Sequence, residues 1–188
     1  MIKMTGEKFH GTMVINKRVA FLRGINVGGN RKIAMNDLKA FFENLDYRNV
    51  STILNSGNVI FEAKEESIKK ITELLEKGLT KRFEYPARVI VQDISFVKKV
   101  IKDYPFNSND ARYQHYVVFL ASDIRDELIK SVEIDKKTEE VAPGQRVVYW
   151  KAVKGMTLKS NFGMLISKAK YKDHNTVRNI NTLRKIVR

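Results

Sequence analysis

The chain has 188 residues, 43% hydrophobic and 30% charged, which fits one compact domain or two small fused subdomains and excludes a disordered chain. It has no cysteine, which excludes disulfides, a thiolate nucleophile and a zinc–thiolate centre. The formal net charge of +14 is uneven: residues 1–34 carry +6, 35–141 carry −2 and 142–188 carry +10, with Asp173 the only acid in the last stretch. A field of that kind attracts polyanions. No apolar run approaches the ~18 residues of a membrane span, and residues 1–17 lack the apolar core of a secretory signal, so a cytoplasmic protein without a membrane partner is expected.

Residues 1–17 read as an N-terminal arm, with Met4 and Met13 as alternative starts. Val19 to Leu22 is a short apolar run ended by glycine, the pattern of a buried strand. Asn36 is placed to cap a helix whose apolar side is Leu38, Phe41, Phe42 and Leu45. Val50–Leu54 and Asn58–Phe61 read as strands joined by the turn Asn55-Ser56-Gly57-Asn58. Glu65 to Phe83 has the longest helical period, and Pro86 precedes a strand over Ala87–Val91.

This order, strand-helix-strand-strand-helix-strand, is the split β-α-β arrangement called ferredoxin-like. Asp93 is placed to cap a linking helix through Lys102, which ends at Tyr104-Pro105 and a polar loop. The second half repeats the rhythm. Tyr116–Leu120 reads as a strand, Ser122 or Asp123 starts a helix to Val132, and Glu139–Val141 with Arg146–Trp150 form a hairpin across Pro143-Gly144. Ser160–Lys170 reads as a helix, and Asn181 or Thr182 is placed to cap a final one through Val187. The expected fold is α+β: two ferredoxin-like halves with antiparallel-rich sheets, over 18–92 and 113–188, joined by a linker helix and loop at 93–112.

The chemistry-bearing segment is Arg23-Gly24-Ile25-Asn26-Val27-Gly28-Gly29-Asn30-Arg31-Lys32, a glycine-rich basic connection from strand to helix. At least one of Gly24, Gly28 and Gly29 is expected at positive φ. The four-residue gap between Gly24 and Gly29 resembles a nucleotide phosphate loop, but Asn30 and Arg31 stand where that motif needs Lys and a hydroxyl residue. What remains is a cradle of backbone donors ringed by Arg23, Arg31 and Lys32. The other polar segments are Asn55, Ser56 and Asn58 at the turn, and Arg178, Asn179, Asn181, Thr182 and Lys185 near the C-terminus. His10, His115 and His174 have no partner at metal-ligand spacing, so neither a metal nor a cofactor is expected, and no residue is named as catalytic.

Three segments, Leu22–Gly29, Asn55–Val59 and Arg178-Asn179 with Asn181-Thr182 and Lys185, together resemble the bacterial domain-of-unknown-function family DUF1697. Ile180 stands where that family commonly has Trp, and the 1–17 arm has no counterpart in it. The resemblance implies a small α+β protein with two ferredoxin-like halves and brings no activity, substrate or cofactor. Two readings of function stand, the first leading and the second its alternative. In one, the basic ends bind nucleic acid or another polyanion. In the other, the three segments line a cleft for a phosphorylated or carboxylated small molecule, as an enzyme or a binder, with Arg23 and Arg178 as forked anion clamps. Arg23 or Arg31 is then expected to approach Arg178 or Lys185.

Overall fold

The structure, a computed structural model, describes residues 15–26, 32–64 and 67–188. In the first half, β1 (Ile15–Leu22), α1 (Met35–Glu43), β2 (Arg48–Ile53), β3 (Asn58–Lys64), α2 (Ile68–Phe83) and β4 (Val89–Asp93) follow one another. They build an antiparallel sheet of order β2-β3-β1-β4, the ferredoxin-like arrangement. The linker helix α3 is Ile94–Lys102. The second half runs β5 (Tyr113–Leu120), α4 (Arg125–Lys130), β6 (Glu139–Gly144), β7 (Val147–Val153), α5 (Asn161–Ser167), α6 (Ala169–Lys172) and β8 (Asn175–Asn179), and α7 (Ile180–Ile186) ends the chain. Its sheet has the matching order β6-β7-β5-β8.

Both faces of each sheet are covered. Successive residues of a strand point to opposite faces. Accordingly Ala20 and Leu22 of β1 join Leu38, Phe42, Leu75 and Leu79 in a core under α1 and α2. Val19 and Phe21 instead face Val117, Phe119 and Tyr149 of the other sheet. Phe21 and Phe119 meet at the centre with ring centroids 4.7 Å apart. Each such ring contributes about 1.5–3 kcal/mol by leaving water. Val97 and Val100 of α3 and Leu183 and Ile186 of α7 join this middle core. A third core packs Trp150 and Phe162 beneath α4 to α6. The two sheets therefore share one core face to face.

The halves repeat at residue level. Phe21 pairs with Asn58 on β3 and Ile90 on β4, whereas Phe119 pairs with Val147 on β7 and Thr176 on β8. Superposing Phe21 on Phe119 equates Asn58 with Val147, Gly57 with Arg146, Gln92 with Arg178 and Asp93 with Asn179. Hydrogen bonds repeat as well: Arg23 N donates to Arg88 O at 3.0 Å, and its counterpart Ala121 N donates to His174 O at 2.9 Å.

Several local expectations are corrected. β1 begins at Ile15, inside the segment read as an arm. α1 begins at Met35 with Ala34 in the cap position, so Asn36 is already helical and caps nothing. α2 begins at Ile68 and is capped by Ser67, whose side chain accepts from Lys70 N. Asp93 occupies the cap position of α3 but turns its carboxylate to Arg18 Nε at 3.2 Å. α4 begins at Arg125, beyond Ser122 and Asp123.

Pro143 and Gly144 are not the hairpin turn: they pair with Val148 and Val147 at the end of β6, and the turn is Gln145-Arg146. β6 is an edge strand, where a proline without an N–H is tolerated. The helix expected over Ser160–Lys170 breaks at Lys168, whose extended backbone separates α5 from α6; Ser160 does cap α5, accepting from Gly163 N. α7 is capped by Asn179, which accepts from Asn181 N, not by Asn181 or Thr182. The ferredoxin-like order calls for a fourth strand in the second half, and β8 supplies it over residues to which the sequence pattern assigns no strand.

Candidate functional site

A cleft of about 520 Å³ opens where the end of β1, the β2–β3 turn and β8 with α7 come together. Its lining includes Arg23, Gly24, Ser56, Arg178, Asn179 and Thr182, so the three polar segments converge on one concavity from both halves. Gly24 sits at φ 66, the left-handed region glycine favours, which turns the chain away from β1. Gly28, Gly29 and Arg31 lie outside the described residues.

Arg178 is the floor of the cleft. It is 8% exposed and faces the middle core, with its guanidinium carbon 5.1 Å from the centroid of the Phe21 ring. Its Nε donates to Asn58 Oδ1 at 2.6 Å, and Nη1 donates to Thr176 Oγ1 at 2.8 Å and Val177 O at 2.9 Å. Nη2 donates to Leu22 O at 2.7 Å and is shared between Ser56 O at 3.3 Å and Gly57 O at 3.5 Å. A guanidinium has five N–H donors, and all five are spent on the protein. Arg178 is therefore not a forked clamp reaching for a ligand; it ties β8 of one half to the β1 end and the hairpin of the other.

The charge remains. Burial lowers the Arg178 pKa to about 10, still well above neutral pH. Every acceptor around it is neutral, and no carboxylate pairs with it among the described residues. Arg18, the other buried arginine, has Asp93 as its counter-charge at 3.2 Å. A buried cation without a counter-ion is held at an electrostatic cost that a nearby anion relieves.

The asparagines of the motifs are also internal. Asn58 is fully buried and donates to Ile53 O at 2.8 Å and Ser56 Oγ at 3.0 Å while accepting from Arg178. Asn26 donates to Ile33 O at 3.0 Å and Asn55 O at 2.9 Å and accepts from Ile33 N at 2.8 Å. It closes the base of the glycine loop and has no free donor for a ligand. Asn55 is exposed.

Arg23 differs from Arg178. Its side chain is partly exposed, and Nη1 bonds Asp173 at 3.3 Å, the one acid of the basic C-terminal quarter. Lys32 and Lys185 are exposed and do not line the cleft. Asn181 is exposed and accepts from Arg184 Nη1 at 3.0 Å. His115 is buried between Tyr104 and the carbonyl of Asp110, with both ring nitrogens in hydrogen-bond contact.

Two buried polar groups carry weight that the motifs did not reveal. Glu139 is fully buried and accepts from Trp150 Nε1 at 3.0 Å and Phe162 N at 2.9 Å, pinning β6, β7 and α5 together. Gln92, the counterpart of Arg178, is 5% exposed. Its position at the end of the run Val89-Ile90-Val91 is the sequence signal: one amide amid an apolar strand.

The model for the family described as "Protein of unknown function (DUF1697)" matches residues 15–149. The chain belongs to the DUF1697 family. That span contains the glycine loop and the Asn55–Asn58 turn but stops short of Arg178, so the third segment of the resemblance lies outside it. Among solved structures, the DUF1697 chain resembles the conserved bacterial protein SP0830 from Streptococcus pneumoniae at TM-score 0.76 and 23% identity, covering 93% of this chain and 98% of that one. At that identity the likeness carries the fold. No curated protein matches this chain. Among the described residues no helix is long and apolar enough to cross a membrane.

Proposed function

We propose that this DUF1697 protein binds a small phosphorylated or carboxylated molecule in the cleft above Arg178. The observation that carries the reading is a buried, hydrogen-bonded guanidinium without a counter-charge among the described residues, beneath a concavity built from three distant polar segments. The ligand's charge sits over Arg178 and is held directly by Arg23, the Gly24 backbone and the hydroxyls of Ser56 and Thr182. Arg178 acts at a distance, as fixed positive potential in a low-dielectric floor. Arg23 exchanges Asp173 for the ligand, so binding and that surface ion pair compete. In this reading the protein works in the cytoplasm, on a metabolite.

A second reading, binding of nucleic acid or another polyanion, is supported by the +10 charge of residues 142–188. Against it, two of those cations have local acids, Lys151 at 2.7 Å from Glu140 and Lys170 at 2.6 Å from Glu127, and Asp173 in the same stretch is taken by Arg23.

One titration separates the two readings. Inorganic phosphate and citrate are added to the ¹⁵N-labelled protein, and labelled single- and double-stranded oligonucleotides are titrated at low and high salt. The expected result is saturable shifts at the Gly24, Ser56 and Thr182 amides with the small anions, weakened about tenfold, or ~1.4 kcal/mol, by Arg23→Ala. Oligonucleotide binding with a log–log salt slope of about −0.7 to −0.9 per neutralised phosphate, and no response to small anions, replaces the first reading with the second.

A further inference from the structure

The internal repeat gives the Arg178 cleft a counterpart. Its walls are the end of β5, the β6–β7 turn and β4, the elements that correspond to the end of β1, the β2–β3 turn and β8. This second cleft, of about 660 Å³, includes Ile90, Gln92, Leu120, Asp123, Arg125 and Arg146 in its lining. Its floor residue is Gln92, where the first cleft has Arg178. The residue equivalent to Asn58 is Val147, which offers nothing to hydrogen-bond. Gln92 Oε1 is buried and has no hydrogen-bond partner among the described residues. A buried carboxamide oxygen left unpaired costs about 1–3 kcal/mol, so a fold that keeps one at the floor of a cleft leaves an acceptor poised for a donor from outside.

The remaining walls say what carries that donor. Arg146 stacks its guanidinium 4.5 Å from the Phe96 ring centroid and has no hydrogen bond or ion pair among the described residues, which leaves its N–H donors for an anion. Arg125 is already engaged, with Asp126 Oδ1 at 2.8 Å and Gly144 O at 3.0 Å. Asp123 is the one carboxylate among the described residues that line the cleft. Ile90 and Leu120 supply apolar surface between these polar groups. Two acceptors, a free arginine and an apolar wall together complement a zwitterion with an apolar body.

We propose that this second cleft binds a small zwitterion of the amino-acid or dipeptide type. Its ammonium donates to Gln92 Oε1 and faces Asp123, its carboxylate pairs with Arg146, and its apolar side chain packs on Ile90 and Leu120. The site is separate from the anion cleft and does not depend on it.

The test uses the full chain, ¹⁵N-labelled, titrated with L-leucine, L-phenylalanine and the dipeptide Leu-Leu, with acetate and n-butylamine as single-charge controls. The expected result is a saturable shift of the Gln92 side-chain amide and the Arg146 backbone amide with at least one zwitterion. Gln92→Leu is expected to weaken that binding at least tenfold while melting at the same temperature as the wild type or higher, since it removes an unpaired buried amide. Arg146→Gln serves as a second variant, away from the core, and is expected to weaken binding of the zwitterion but not of n-butylamine. Zwitterions that leave both resonances unmoved, or bind Gln92→Leu as tightly as the wild type, overturn the proposal; so does acetate binding as well as they do. Because the reporters are Gln92 and Arg146, the outcome is independent of phosphate or citrate shifts at Gly24, Ser56 and Thr182.

Discussion

The two clefts are built on one plan and finished differently. In each, an edge strand of one sheet runs beside the chain leaving the central strand of the other, next to a hairpin turn with a residue at positive φ (Gly57 at 71, Arg146 at 57). One floor holds Arg178, a long cation saturated by six acceptors drawn from both halves. The other holds Gln92, a neutral side chain, and has Val147 at the position equivalent to Asn58. Duplication of a fold thus preserves backbone placement while the two inner-facing positions diverge, one toward holding the halves together and the other toward an unfilled acceptor. The Arg178 side is expected to carry more of the stability between the halves, because its bonds cross from one half to the other.

The strongest test removes that side. Arg178→Met leaves Asn58 Oδ1 and the carbonyls of Leu22 and Ser56 without their donor, in the shared core. The loss is expected to be about 3–5 kcal/mol, partly offset because the uncompensated charge is gone. Urea denaturation measures it; a loss below about 1 kcal/mol means that Arg178 is not the tie between the halves.

A smaller effect comes from transplanting one floor into the other. Gln92→Arg alone buries a guanidinium in a cleft whose Asn58 equivalent is Val147, which offers no acceptor, and is expected to cost about 2–3 kcal/mol. Adding Val147→Asn recreates the Arg178–Asn58 pair, so the double variant is expected to be more stable than the sum of the singles by about 1–2 kcal/mol. Strict additivity in the double-mutant cycle breaks the proposed equivalence of the two sites.

These residues also show where the sequence is legible and where it is not. Val19-Ala20-Phe21-Leu22 reads as a strand because both its faces are buried, leaving an unbroken apolar run. β8, at the edge of its sheet, has the sequence Asn-Thr-Val-Arg-Asn, and its pattern looks like a loop. Its inner face is polar because Arg178 bonds Asn58, 120 residues away, and no local window contains that partner. The same holds at the site. The motifs mark which segments meet, since glycine and asparagine at turns are local signals. Whether Asn26, Asn58 and Arg178 face a ligand or one another is decided by long-range contacts. Pro143-Gly144 misleads for a related reason: an edge strand accepts a proline that a central strand rejects.

The cap positions offer a finer contrast. Asp93 and Asn179 both precede a helix, yet Asp93 spends its carboxylate on buried Arg18 while Asn179 accepts from Asn181 N at 2.9 Å. Asp93→Asn is expected to cost about 1–2 kcal/mol, because a charge-assisted bond to a buried arginine is weakened. Asn179→Asp is expected to change stability by no more than about 0.5 kcal/mol, since the two residues cap equally well. Equal losses in thermal melts of the two variants would mean that Arg18 draws nothing from Asp93.

The smallest effects are at the turns, where the same backbone conformation is held by different residues. At Gly57 an added Cβ would lie 2.8 Å from Leu22 Cβ and 2.9 Å from Ile25 Cδ1, so Gly57→Ala meets both the left-handed penalty and a packed neighbour. Its expected cost is about 2 kcal/mol, read from the urea midpoint. At the equivalent Arg146 a side chain is already accommodated at φ 57, stacked on Phe96. Arg146→Gly relieves the left-handed strain of about 1–2 kcal/mol. It also gives up about 0.5–1 kcal/mol of cation–π contact and adds a comparable chain-entropy cost. These terms oppose one another, so the net change is expected to be within about 1 kcal/mol of zero. A large loss in Arg146→Gly would show that its guanidinium is structural, like that of Arg178, and would remove the asymmetry between the clefts.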